Sequence, residues 1–266
     1  MADIGGSVVS SRFLELLGTD FDGQPASDVE DVIYEALDDP RHHDRVPGLT
    51  ALLADSAASP RERFLACVAL TTWAEPTGYT AVREAAGNPS GAPWYNLLID
   101  RKFSVDNTFA QLCLAVGDSD ALCQTKGTCE QRFEAFRSLV KIADTEYFDE
   151  KLGDHLDDQT VARVLPDVRD TVERGVAALS EHRRPQFDLA TQLVDLAAAV
   201  AAVDASTSVG LVMEVLSQEA SPRALVHAVS IVQRSQADEA RRFAEYLRMV
   251  GDDRVRSFVD QALAKR

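Results

Sequence analysis

A chain of 266 residues that is 45% hydrophobic is long enough to bury one large helical core or two small ones, and disorder is not expected over most of it. Its formal charge of −16 opposes direct nucleic-acid binding, because that affinity comes from counterions released by Lys and Arg contacts. The most apolar window, Leu189 to Val203, is too short for a bilayer and carries Asp195 in its middle; with no signal-like amino terminus either, no membrane span and a cytoplasmic location are expected.

In chain order, an apolar run from Val8 to Leu17 ends at Gly18 as a first helix, and Thr19 to Ala26 is a loop. Ser27 or Asp28 opens the next helix, whose buried stripe is Val29, Val32, Ile33, Ala36 and Leu37. Asp28, Asp31 and Glu35 fall at i, i+3 and i+7 on the opposite face, where a buried stripe forces them into solvent. The charge is concentrated here: residues 1 to 60 hold twelve acids against Arg12, Arg41 and Arg45, a net of −9. Val46 to Ala54 is a further helix. Ser59 and Pro60 then cap and start a helix that is apolar nearly all round from Phe64 to Leu70, and a turn at 75–78 leads into a second run with Tyr79, Val82 and Ala86 on one stripe.

Residues 88 to 103 carry two prolines, a glycine and three aromatics, and are expected as a packed connection. Trp94, Tyr95 and Phe103, with Arg101 and Lys102 beside them, either dock a partner or plug the core beneath the loop. Ser104 to Val116 is expected as a helix capped by Ser104, and Thr128 to Ala143 as another, joined by a connection that carries Cys123. Without C-x-x-C spacing, Cys67, Cys113, Cys123 and Cys129 are expected as free thiols. Asp144 to Asp158, with seven acids and one Lys, is expected as a solvated connection; it does not supply the register of a calcium loop. Gln159 to Ser180 keeps helical spacing, with Pro166 kinking one helix or starting a second, and Gln186 to Val203 and Thr207 to Ser217 follow. Ser221, Pro222 and Arg223 repeat the Ser59, Pro60, Arg61 opening before another helix apolar all round, and Ala237 to Val250 and a helix capped by Asp252 close the chain. No segment alternates with period two, so β-structure should be nearly absent.

The unit around Ser59 to Pro89, and the stretch GDDRVRSFVDQAL near the end, resemble HEAT-type helical repeats over about residues 45 to 89 and 204 to 264. That resemblance implies an all-α fold of stacked antiparallel helix pairs, an irregular α-solenoid, and no particular activity; a compact non-repeat helical bundle is the alternative. A single helical domain over 1–266 is expected, with a subdivision into an acidic half, 1–143, and a second half, 159–266.

Asp38, Asp39 and Asp44 have a DD-x4-D spacing like the magnesium-binding motif of all-α isoprenoid synthases, but Pro40 interrupts helical presentation and no second motif follows. His43–Asp44 lacks the upstream His that an HD-type phosphohydrolase pattern needs. His227, on an apolar helix, is expected as a hydrogen-bonded core residue. No catalytic residue, metal ligand or cofactor is assigned. The expected function is a non-catalytic scaffold or inhibitor, monomeric or a weak dimer, that recognises a basic protein through Asp28, Asp31 and Glu35 or through Trp94, Tyr95 and Arg101. The alternative is an all-α metal-dependent enzyme acting on a phosphate or diphosphate through Asp38, Asp39, His43 and Asp44.

Overall fold

A computed structural model describes residues 9–183 and 185–265; Val8, and the amino-terminal residues read above for a signal, lie outside the described residues. Among the described residues the fold is all-helical, with two isolated β-bridges, Thr19 to Pro25 and Ile99 to Asp106, and no strand. No helix among them is long and apolar enough to cross a membrane. The chain forms two compact units, Met1–Leu97 with Ala115–Ala135, and Leu98–Leu114 with Phe136–Arg266.

The first unit begins with α1 (Ser11–Leu17), α2 (Val29–Glu35), a 3-10 turn at Pro40–Arg45, α3 (Val46–Ala54), α4 (Pro60–Thr72) and α5 (Pro76–Gly87). The start of α4 shows why this sequence folds here. Ser59 Oγ accepts from the Glu62 amide at 3.2 Å, Glu62 Oε2 accepts from the Ser59 amide at 3.1 Å, and Pro60 occupies a position whose N–H has no helical partner. Glu62 Oε1 also accepts from the Ser10 amide at 2.8 Å, so one buried carboxylate fixes the starts of α1 and α4 together. As the all-round apolar pattern requires, α4 packs against several other helices, α3, α5 and α2. Trp73, fully buried, donates from Nε1 to the Ile33 carbonyl at 2.9 Å and ties α4 to α2.

Next come α6 (Thr108–Asp118), α7 (Asp120–Lys126) and α8 (Cys129–Val140). Ser104 does not cap α6. It adopts a left-handed φ of 57° in the preceding turn, and Asp106 instead accepts from the Thr108 amide and hydroxyl. The expected cysteine-bearing connection is helical as α7, ends at Gly127 in the left-handed region, and is closed by a disulfide between Cys123 and Cys129. The expectation of four free thiols is thus corrected for this pair. Short-range closure across a helix end needs no C-x-x-C spacing. Cys67 and Cys113 are buried outside that disulfide, and burial pushes the Cys67 thiol up to about 12.

The second unit is built on α9 (Lys151–His155), α10 (Asp158–Ser180), α11 (Leu189–Ala199), α12 (Ala205–Gln218), α13 (Pro222–Ala228), α14 (Ser230–Arg234), α15 (Asp238–Val250) and α16 (Asp253–Ala264). The apolar window at 189–203 is its centre, with α11 packing against α9, α10, α12, α13 and α14. Residues 144–158 are not the solvated connection their acids suggest. Tyr147, Phe148, Leu152 and Leu156 are buried, and their apolar surface outweighs the charge count in deciding where the segment lies. Pro166 sits inside a single α10, and the all-round apolar helix after Ser221 is two pieces, α13 and α14, that meet at Val229.

Candidate functional site

The predicted acidic face lies on α2. Asp28 is its N-cap and accepts from the Glu30 amide, Asp31 accepts from Ser27 Oγ at 2.9 Å, and Glu30, Asp31 and Glu35 are exposed while Val32, Ile33 and Ala36 are buried. Tyr34 stands on the same outer side and donates to Asp118 Oδ2 at 2.8 Å; burial and that carboxylate push its phenol pKa up. The aromatic segment divides. Trp94 is 3% exposed and packs edge-on against Phe64, filling the core of the first unit instead of presenting a contact face. Tyr95 is half-buried in the same unit, whereas Arg101 and Lys102 are exposed in the second.

The alternative aspartate cluster does not assemble. Asp39 caps the 3-10 turn and is gripped by Arg41 through Nε and Nη2, and neither Asp38 nor Asp44 joins a group that could share an ion among the described residues. The notable residue of DDPRHHD is the buried His42, which faces Trp73. Its Nδ1–H donates to the Asp39 carbonyl at 2.7 Å, and its Nε2 accepts from Lys126 Nζ at 3.1 Å. Burial, with Lys126 beside it, holds the His42 pKa below the usual histidine range. Folded His42 is therefore the weaker base, and the unfolded chain takes up the proton first. Stability from this residue should be complete above the unfolded value of about 6.5 and lost as pH falls through that value toward the folded one. Urea midpoints at pH 7.5 and 5.5 should separate more for the native chain than for His42→Gln; equal separations would contradict this assignment.

A second constellation, which the sequence pattern does not single out, lies in the second unit. His227 on α13 donates from Nδ1 to Asp195 Oδ1 on α11 at 2.8 Å, and its Nε2 lies 3.8 Å from Glu150 Oε1 at the start of α9. Glu150 is also held by Arg223 Nη2, whose Nη1 reaches Asp188 at 3.5 Å. Asp149 and Glu150 both have left-handed φ, 47° and 66°, a costly pair for non-glycine residues that aims Glu150 at the imidazole. Gly153 lets α9 close on α11, since a Cβ there would stand 2.6 Å from the Asp195 carbonyl oxygen. Burial pushes the Asp195 carboxyl up, and the bond to Asp195 pushes the His227 pKa up. Glu150, Asp154, Asp195, His227, Ser230 and Gln233 line a cleft of 290 Å³ with apolar walls at Val226 and Phe258. The sequence did carry a signal for single residues, because Asp195 is the one ionisable side chain of α11 and His227 interrupts the apolar run from Leu225 to Val232, and each then needs a partner.

No family model, curated protein or solved structure matches this chain.

Proposed function

We propose that this chain is a non-catalytic, protein-binding helical scaffold that takes a basic protein on the acidic surface of its first unit. The observation that carries the reading is the composition of α2: its outward face offers Glu30, Asp31 and Glu35 with Asp28 at the cap, and the helix contains no Lys or Arg. Such a face attracts a basic surface over about 10 Å at 0.1 M salt and acts mainly on the rate of association. In the same reading the helices pair as HEAT-like units. In support, α4 packs on α5 and α15 on α16, and Ser59–Pro60 and Ser221–Pro222 open α4 and α13 with the same cap. A scaffold of this kind works as a monomer or weak dimer and has no use for nucleic acid.

Affinity capture with quantitative mass spectrometry, comparing the native chain with Asp31→Lys/Glu35→Lys, tests the proposal. The double reversal should deplete specific basic proteins from the captured set, slow their association at low salt, and leave the melting temperature nearly unchanged, because both side chains are exposed. An unchanged captured set, or an association rate indifferent to salt and to the reversal, would show that the face is only a solvated surface.

A further inference from the structure

The cleft around His227 goes beyond that reading and is independent of α2. We propose that it is a divalent metal site of the zinc class, with His227 Nε2 and the Glu150 carboxylate as ligands and Asp195 as the positioning residue. The bond from His227 Nδ1–H to Asp195 Oδ1 fixes the tautomer that leaves the Nε2 lone pair facing the cleft, the arrangement by which metal-bound imidazoles are oriented. Among the described residues Nε2 has no hydrogen-bond partner; Glu150 Oε1 at 3.8 Å is beyond that range. It is close to the separation of about 3.4 Å that two ligands of a tetrahedral zinc ion adopt. The Glu150, Asp195 and His227 ligand atoms all lie within 4.8 Å of one another.

A separate observation concerns the orienting carboxylate itself. Among the described residues Asp195 Oδ2 is buried and has no hydrogen-bond partner, an unsatisfied carboxylate oxygen set into an apolar helix. Arg223 Nη2 already pairs with Glu150. Because its guanidinium also reaches Asp188, it can stay there while a cation takes Glu150. The ligand set of one imidazole and one carboxylate favours zinc over magnesium, which prefers oxygen ligands throughout.

Calorimetry on the full chain with zinc, manganese and magnesium chlorides tests the site. Zinc should bind with one-to-one stoichiometry and magnesium should not. His227→Gln and Glu150→Gln should abolish the zinc heat, and Asp195→Asn should weaken binding by about 10- to 100-fold, as loss of an orienting carboxylate does. Arg223→Gln should strengthen it, since it frees Glu150. Melting curves in chelator identify any variant that has lost its fold. A readout that needs no variant is the imidazole resonances of the native chain, of which those of His227 should shift on adding zinc. Absence of stoichiometric zinc binding, binding that survives His227→Gln, or resonance shifts confined to His42 and His43 would overturn the proposal; the last would place the ion on the His42, His43 and Glu75 group. The α2 reversal leaves all of these outcomes unmoved, so the two proposals fail separately.

Discussion

Lys126→Met is expected to lower the stability of the first unit by about 3–5 kcal/mol, the usual consequence of leaving a buried charge without its partner. Lys126 Nζ donates to the Trp73 carbonyl at 2.7 Å, to Glu75 Oε1 at 2.5 Å and to His42 Nε2 at 3.1 Å. With 13% and 17% of their side chains exposed, Lys126 and Glu75 are largely out of water, so solvent screens the pair little. Methionine fills most of the lysine's volume but donates to none of the three acceptors. The cost therefore comes from their desolvation, not from a cavity. A double variant, Lys126→Met with Glu75→Gln, removes the orphaned charge and should recover a substantial part of the loss. Urea denaturation of the two singles and the double measures the coupling, and additive effects would show that the pair is screened after all.

Gly78→Ala, the smallest possible side-chain addition, should cost about 3 kcal/mol, at the top of the usual range for overpacking. A Cβ at this position would lie 2.5 Å from the Thr71 nitrogen, 2.6 Å from the Leu70 carbonyl carbon and 2.8 Å from the Thr71 Cα. Those atoms are the backbone of α4, which cannot turn aside as a side-chain end can. Either α5 moves off α4 and opens the contact that buries Tyr79 and Val82, or the overlap persists. Gly210→Ala provides the opposite case. It is exposed within α12, a Cβ there meets nothing within 4 Å, and the same substitution should stabilise by about 1 kcal/mol through helix propensity alone. Thermal melting of both variants tests the contrast. Similar shifts for the two would refute the close approach of α4 and α5.

Helix identity was legible wherever periodicity and caps agreed. Ser59 and Pro60 announce α4, Asp28 announces α2, and Asp252 announces α16, because each cap is a local interaction between residues three or fewer apart. Misreadings arose where a local signal met a tertiary one. Ser104 looks like a cap, yet the turn that carries it is set by Asp100 and Asp106, which bind amides on either side of it. The acids of 144–158 suggest solvent, while four large apolar side chains among them pull the segment inward. The exposed acids of α2 could be read from a single helix, since burial of one stripe dictates the other face. The His227 site could not be. Its residues come from 150, 195 and 227, and only the packing of α9 and α13 against α11 brings them together.

The disulfide between Cys123 and Cys129 makes this turn sensitive to the thiol balance around the chain. Glutathione keeps thiols reduced in most cytosols, so the bond persists only in a compartment, or during an interval, that supplies an oxidant. Its two sulfurs are unequally placed: Cys123 is buried and Cys129 belongs to an exposed residue, so an incoming thiolate meets the Cys129 side first and expels Cys123. A ring this short restrains the unfolded chain by about 2 kcal/mol in the chain-entropy model, and it encloses Lys126, so the disulfide-closed segment is the one that delivers an ammonium to Trp73, Glu75 and His42. Trapping the thiols of freshly lysed cells with an alkylating reagent, and weighing the peptide that spans 123–129, would read the oxidation state of the pair directly.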